Sequence, residues 1–401
     1  MWVVFLKKSC LRYHFLVLGL LALQQVIAAP EKHSNSSGNP QISTLKKNTS
    51  QGHSLAPYVF LKDLSTDTVL MDKDSEVRMP PSSMTKILTA YVIFKALKEG
   101  ALKLSDHFVV SPEAAKKEGS NMVLNPGQSV SIKDLLIGVI AASGNNACCV
   151  LAQGLAGSEE GFCELMNQEA LNLGAKNSRF KNASGLPDPE HWSTCRDLAL
   201  FSEKTLQNFP QEYKDYYAIQ EFTFNKAKHL NRNLLLRNGF SDGFKTGKTD
   251  AGKCGMVASS QREGRRLLLV VNGIANEILR AQEARRLLDW GFSFFVPAIV
   301  ASPSKPFTSI AVKGGKADSI QLVTLKTAGI SLPRLLLNKG QVKVEHFSHA
   351  LAPVKKGQPM GRIQILVPEK TPMVFTLVAD QDVAALSFWD KIKHFFHSAI
   401  K

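Results

Sequence analysis

Three short groups of residues in this 401-residue chain carry side chains that could do chemistry together. The first is Ser83-Met84-Thr85-Lys86. On a helix, residues three apart share a face, so the Ser83 hydroxyl and the Lys86 amine can meet. A serine hydroxyl is a weak nucleophile until a base takes its proton. A lysine can be that base if burial or neighbouring cations depress its pKa. The second group is Ser143-Gly144-Asn145. Ser143 can pass a proton to a leaving amine, and Asn145 can hold a substrate amide. The third is Lys245-Thr246-Gly247. A strand carrying Lys245 and Thr246 toward a cleft offers a cation and a hydroxyl to a carboxylate, and Gly247 lets a substrate backbone come close.

Each group alone is a weak signal. The Ser-x-x-Lys spacing recurs at Ser43/Lys46, Ser178/Lys181, Ser302/Lys305 and Ser398/Lys401, and Ser-x-Asn recurs at Ser37/Asn39. A helix cap, a buried Ser/Asn pair and a solvated strand lysine are the ordinary readings of such pieces. Ser83 is distinguished by its place. Pro80-Pro81-Ser82 leads into an apolar helix start, where backbone N–H groups are free. Ser143 and Asn145 sit between the apolar stretches 138–142 and 147–151, where polar groups need partners. Three groups in this order, each in a structured context, point to acyl transfer through a serine ester.

The elements that must position them can be read from periodicity. Pro57 to Asp63 has strand character, with 69–72 as its hairpin partner. Ser83 to Lys98 has helical apolar spacing at Ile87, Leu88, Tyr91, Val92, Phe94 and Leu97, stopped by Gly100. A helical middle follows over 132–155, 159–173 and 193–206, with turns at Asn125-Pro126-Gly127 and Leu186-Pro187-Asp188-Pro189. Strand signals return at 222–224, 243–245, 256–258 and 266–271, then a helix over 277–290. Strands at both ends of this region with helices between them predict one sheet assembled from both ends around a helical insertion. Beyond Val296, prolines 297, 303 and 306 mark a boundary. Short alternating runs at 320–325, 341–345, 362–367 and 373–378 then predict a small all-β domain.

The two ends set the compartment. Lys7, Lys8 and Arg12 precede a short apolar run from His14 to Leu23, and Val26-Ile27-Ala28 is a small-residue cleavage pattern. These predict a signal peptide over residues 1–28, removed after Ala28. Residues 29–54, rich in Ser, Asn, Lys and Gly, form a flexible linker. At the other end, Phe388, Trp389, Ile392, Phe395, Phe396 and Ile400 share one helical face, with Lys391, Lys393 and Lys401 elsewhere. A basic amphipathic helix over 384–401 suits a membrane interface. The formal charge of +15 then fits an anionic envelope surface, since export excludes a nucleic-acid partner. Without its leader the chain keeps five cysteines, an odd number: Cys148, Cys149, Cys163, Cys195 and Cys254. At least one stays free or pairs between chains, and no spacing suits a zinc site. No cofactor and no metal are expected.

The three groups are accompanied by Leu124-Asn-Pro-Gly-Gln128, Val130-Ser-Ile-Lys-Asp134, Ser193-Thr-Cys-Arg-Asp197, Asn231-Arg-Asn233, Asp242-Gly-Phe-Lys-Thr-Gly247 and Leu287-Leu-Asp-Trp-Gly-Phe292. With these, residues 55–296 resemble the catalytic domain of low-molecular-mass penicillin-binding proteins, the serine-type D-alanyl-D-alanine carboxypeptidases. The tail over 297–383 and the amphipathic terminus match the usual layout of that family. The resemblance implies an α+β domain of β-lactamase/transpeptidase type, an antiparallel sheet with flanking helices and a helical insertion, followed by a small all-β domain. It implies that Ser83 attacks the penultimate D-alanine of a peptidoglycan stem peptide ending in D-Ala-D-Ala, with Lys86 as general base. Backbone N–H groups of Ser83 and Lys248 would receive the oxyanion. Ser143 and Lys245 would help protonate the departing D-alanine, and Asn145 would orient the substrate. Thr246 would meet the terminal carboxylate, with Arg280 as its counter-charge. β-Lactams would acylate the same serine. The setting implied is the periplasmic face of the bacterial cytoplasmic membrane.

The chain departs from the family pattern in three places. Lys248 stands where His or Thr is frequent, Ser184 stands where one group of relatives has His, and Cys148-Cys149 are vicinal. Other readings are a class A β-lactamase, a peptidoglycan endopeptidase and a wall-tethered binding protein that does not turn over. The β-rich tail, the membrane-suited terminus and the lack of a Glu-x-x-x-Asn at a suitable distance after Asn145 argue against the first, and the complete trio argues against the last.

Overall fold

The structure, a computed structural model, describes residues 3–5 and 52–389. Nearly all of the leader, the linker up to residue 51 and the C-terminal helix from residue 390 onward lie outside the described residues. The described residues form two compact units. One holds residues up to 64 together with 69–293, and the other holds 65–68 with 294 onward and Val3–Phe5.

The larger unit is built on a five-stranded sheet in the order Thr68–Lys73, Tyr58–Asp63, Arg265–Ile274, Lys253–Arg262 and Thr246–Thr249. The pairings of Arg265–Ile274 with both neighbours, and of Thr246–Thr249 with Lys253–Arg262, are antiparallel. The first two strands come from the start of the unit and the last three from its end, as the sequence pattern predicted. The central run Leu267–Val271 is wholly buried. A strand apolar at every position must be covered on both faces. Leu268 and Val270 belong to the main core with the helices of the insertion. On the opposite face, a Cβ on Gly291 of helix Glu277–Phe294 would stand 2.8 Å from the Leu267 side chain, so the missing side chain lets this helix lie close to the sheet.

Helix Lys86–Lys98 runs through the core. Ile87 to Phe94 are buried without interruption, so the whole circumference is packed. It is preceded by a 3₁₀ turn, Ser82–Thr85, and stopped at Gly100, whose φ is +77°.

The predicted helix over 132–155 is a correction, because the chain breaks in its middle. Helix Ile132–Ile137 is capped by Ser131, whose Oγ accepts the Asp134 N–H at 3.1 Å. A wide π-type turn, Gly138–Ala142, follows; the chain reverses at Ser143 and restarts as helix Asn145–Ala156. A Cβ on Gly138 would fall 1.9 Å from the Met122 sulfur, so only glycine admits that neighbour. The predicted strand over 222–224 exists as Glu221–Phe224, but it pairs with Ala227–Leu230 in a separate ribbon rather than joining the sheet. The strand predicted over 243–245 begins only at Thr246, because Phe244 stands at φ +70°.

Among its described residues the smaller unit is built of β-strands, with a 3₁₀ turn at Arg334–Lys339 and the start of a helix at 388–389. Its main sheet has the order Val3–Phe5, Gln341–His346, Pro359–Leu366, Met373–Ala379, Ser319–Thr324, Thr308–Lys313 and His349–Leu351. A second ribbon pairs Phe295–Ala301 with Ala328–Pro333. Val3–Phe5 stands inside the stretch read as a leader, so cleavage after Ala28 would remove it from the sheet. Alternation in the main sheet buries Ile320, Leu322, Val342, Val344, Ile363, Ile365, Phe375 and Leu377 in a core of their own. Strands Phe295–Ala301 and Ala328–Pro333 were not foreseen; Pro297, read as a boundary, lies within the first of them.

Candidate active site

Ser83 lies in the 3₁₀ turn that leads into the buried helix, and Lys86 is the first residue of that helix. The turn is held from three sides. Ser82 stands at φ +50° and its Oγ meets Thr249 Oγ1 at 2.8 Å. A Cβ on Gly185 would fall 1.8 Å from the Ser82 carbonyl oxygen. A Cβ on Gly247 would stand 3.0 Å from the Pro81 carbonyl oxygen. On the side where a Cβ would point, Gly247 lies against the nucleophile turn, so the glycine lets the edge strand press close to that turn.

Lys86 is fully buried and its Nζ has three partners: Ser83 Oγ at 2.9 Å, Asn145 Oδ1 at 2.8 Å and the Ser184 carbonyl at 2.6 Å. Burial pulls its pKa down from 10.5 to about 8; the Arg232 charge acts in the same direction, while Cys148 and Glu159 oppose it. The partner set then decides the chemistry. Asn145 Oδ1 and the Ser184 carbonyl can only accept. A neutral amine spends both its hydrogens on them, so its lone pair faces Ser83 Oγ, which must donate. Deprotonated Lys86 is therefore oriented as a base toward Ser83 by two fixed acceptors.

Asn145 is fixed in turn. Its Nδ2 donates to the Glu118 carbonyl at 2.6 Å, and its backbone N–H donates to Ser120 O at 2.6 Å. Both ends of the amide are thus occupied, one of them by the lysine. Ser143 is buried in a left-handed conformation with φ +60°, at the break between the two helices. Its hydroxyl has no hydrogen-bond partner among the described residues, so the relay expected of it is not closed here.

Lys245 and Thr246 enter the sheet's edge strand from the turn at Phe244. Phe244 is wedged between Tyr213 and Tyr217, with ring centroids 4.8 and 5.0 Å away. Lys245 is buried, its Nζ donates to the Thr246 carbonyl at 3.2 Å, and its pKa is pushed well below the usual lysine range by burial first and then by the Lys86 and Arg232 charges. Arg280 is buried, donates from Nη1 to the Gly247 carbonyl at 3.3 Å, and leaves its Nε buried without a partner. A buried guanidinium with an open donor is suited to a carboxylate. Lys248 differs from these: its side chain is solvent-exposed and pairs with Glu277 at 3.3 Å.

Three contributors were not singled out by type and spacing. Ser184 acts through its carbonyl, which Asn182 fixes: Asn182 Oδ1 accepts the N–H groups of Ser184, Gly185 and Leu186. Arg232 depresses Lys86, Lys245 and Arg280 alike, and the buried Asn231 and Asn233 hold its loop. His191 is buried, with Nε2 2.9 Å from Thr85 Oγ1 and Nδ1 facing the Lys181 N–H at 3.3 Å. Accepting that N–H at Nδ1 leaves the ring proton on Nε2, donated to Thr85. The Asn-Arg-Asn stretch and the histidine were visible in the sequence, but a backbone carbonyl has no residue-type signal.

All five cysteines among the described residues are free and buried, and burial pushes the Cys148 thiol up to about 11. Glu113, Cys149 and Glu159 converge on one point. The Lys117 ammonium already sits on both carboxylates, 3.1 Å from Glu113 and 2.7 Å from Glu159.

The comparisons agree with this geometry. Residues 46–276 match the family model for D-alanyl-D-alanine carboxypeptidase of peptidase family S11, and residues 299–385 match the C-terminal domain of penicillin-binding protein 5. The chain is 36% identical over 355 residues to the D-alanyl-D-alanine carboxypeptidase DacC of Escherichia coli K12, covering 84% of this chain and 87% of the relative. It is 32% identical over 349 residues to DacF of Bacillus subtilis, covering 85% and 89%. Penicillin binding protein 5 from Haemophilus influenzae superposes with a TM-score of 0.75 at 32% identity, covering 83% of this chain and 98% of that one. The α+β catalytic fold and the all-β tail are those of these structures, and the chain belongs to the S11 family of serine-type D-alanyl-D-alanine carboxypeptidases.

Proposed function

We propose that Ser83 is the acylated nucleophile of a penicillin-binding carboxypeptidase that removes the terminal D-alanine from peptidoglycan stem peptides. Lys86 takes the Ser83 proton as Oγ adds to the carbonyl carbon of the penultimate D-alanine. The oxyanion is received by the backbone N–H groups of Ser83 and Lys248. Ser143 and Lys245 deliver a proton to the departing amine, the C–N bond breaks, and D-alanine leaves from an ester on Ser83. Water then cleaves the ester. Thr246 and Arg280 hold the terminal carboxylate. Asn145 positions Lys86 in addition to orienting substrate. A β-lactam ring opens onto Ser83 by the same addition.

The observation that carries this reading is the partner set of Lys86: two fixed acceptors turn a buried, largely desolvated amine toward Ser83 Oγ. The Arg280 and Arg232 guanidinium groups also place positive charge beside Lys245, which favours an anionic chain end. The test is D-alanine release from a pentapeptide ending in D-Ala-D-Ala. The native enzyme releases it and Ser83→Ala does not; equal release by both would overturn the assignment.

The domain limits 55–296 and 297–383, the leader 1–28, the linker 29–54 and the amphipathic helix 384–401 are part of the same proposal. Together they would hold an exported enzyme at the periplasmic face of the cytoplasmic membrane, where stem peptides are exposed. Among the described residues no helix is long and apolar enough to cross a membrane.

A further inference from the structure

The two acceptors that turn Lys86 toward Ser83 belong to different segments of the chain. Asn145 is gripped by the loop that follows helix Pro112–Ala115. Its Nδ2 donates to the Glu118 carbonyl and its backbone N–H to the Ser120 carbonyl, both at 2.6 Å. Asn146 ties the same loop again: its N–H donates to Asn121 Oδ1 at 3.0 Å and its Nδ2 to the Met122 carbonyl at 2.8 Å. The second acceptor, the Ser184 carbonyl, lies on the far segment, beyond helix Glu159–Leu173.

One ion pair joins the two segments. Lys117, the residue before Glu118, reaches Glu159 Oε2 at 2.7 Å. Glu159 is the first residue of its helix, and its other oxygen, Oε1, accepts the N–H of Ala183 at 3.0 Å. Ala183 immediately precedes Ser184, and its carbonyl is held in turn by Thr89 Oγ1 at 2.6 Å, one turn along the helix from Lys86. The path from Asn145 through Glu118, Lys117, Glu159 and Ala183 to Ser184 therefore closes a ring around the lysine amine. Glu159 is buried and Lys117 half-buried. Removing one partner of such a pair leaves the other charge uncompensated, and the segments that carry them must shift. Burial acts to lower the Lys117 pKa, but the bond and charge of Glu159 hold it above the usual lysine value, so the ammonium keeps its charge while Lys86 titrates.

We propose that the Lys117–Glu159 ion pair is a positioning clamp: it fixes the two acceptors relative to each other and so holds the lone pair of Lys86 on the Ser83 hydroxyl. Neither residue touches the reacting atoms. The clamp acts on direction rather than on charge, and the two effects have opposite signatures. The Glu159 charge acts to raise the Lys86 pKa, so its loss by itself would move the rise in acylation rate to lower pH and leave the rate at pH 9 unchanged. Loss of direction lowers the rate at pH 9, where most of the lysine is already neutral. The proposal rests on Lys86 as the base, which the same experiment examines separately.

The experiment measures the rate constant for acylation of the full chain by excess fluorescent penicillin from pH 6 to 9. It is read per labelled site, so a partly unfolded variant loses amplitude and not rate. Lys117→Met and Glu159→Gln should each lower the rate constant at pH 9 by at least about tenfold, the scale of a misdirected reacting group. The double variant should be no slower than the slower single variant by more than about twofold, because both changes break one interaction. Lys117→Arg, which keeps the cation, should stay within about threefold of the native rate. A native rate at pH 9 in both single variants, or losses that multiply in the double variant, would overturn the clamp while leaving the base in place. A native profile that does not rise with pH would overturn Lys86 as the base and the clamp with it.

Discussion

Burial that holds Lys86 near a pKa of about 8 has a direct kinetic consequence. Moving the lysine from its ordinary value of 10.5 to about 8 disfavours its charged form by about 3 kcal/mol, chiefly through burial, with the Arg232 charge adding to it and Cys148 and Glu159 opposing it. Only the neutral amine can take the Ser83 proton. With a pKa of about 8, about a tenth of the enzyme carries the free base at pH 7 and about nine tenths at pH 9. The rate constant for acylation by a fluorescent penicillin, measured in single turnover with excess reagent, should therefore rise about tenfold between these two values. Arg232 lowers the lysine from an exposed position, where solvent and salt screen it. Arg232→Gln should shift the rise to higher pH by no more than about half a pH unit, and less at high ionic strength. A rate that is flat from pH 6 to 9, or that falls as pH rises, would refute the assignment of Lys86 as base.

Two further outcomes follow from the packing around the nucleophile turn. His191 is held near a pKa of about 4 by burial, below its ordinary 6.5, so the unfolded chain binds its proton first. The neutral ring's contribution to stability is complete above pH 6.5 and is lost as pH falls toward 4. His191→Gln removes this titration, and thermal melts across that range should show the native chain losing up to about 3 kcal/mol more than the variant. Equal acid sensitivity would show that the ring is solvated. Gly185→Ala would drive a Cβ into the Ser82 carbonyl at a residue with φ +85°. It should lower stability by at least about 3 kcal/mol or displace the turn and abolish acylation; a stable, fully active variant would mean that the turn is not held from this side.

The sequence was most legible where side-chain type and periodicity act together. The alternating runs of the β-rich tail, the apolar helix after Ser83 and the strands predicted over 57–63, 69–72, 256–258 and 266–271 all appear close to their predicted limits. Ser83, Lys86 and Asn145 converge by direct hydrogen bonds, and Lys245 and Arg280 add their charge to the same cluster. The break falls at Ser143-Gly144-Asn145-Asn146, a polar interruption between two apolar stretches that was read as part of one helix. Ser184 was noted only as a departure from the family pattern; its contact with Lys86 was not foreseen because it is made by a carbonyl, set by the Asn182 side chain two residues earlier. At Gly247 the structure adds a close approach of the nucleophile turn, which residue type alone does not specify.

The central claim is that Ser83, and no other residue, becomes acylated. Mass spectrometry of the protein after brief exposure to benzylpenicillin, with peptide mapping of the adduct, tests it most directly. The account predicts one penicilloyl group per chain, on the peptide containing Ser83, absent in Ser83→Ala and strongly slowed in Lys86→Ala. An adduct on another residue, or labelling that persists in Ser83→Ala, would contradict it.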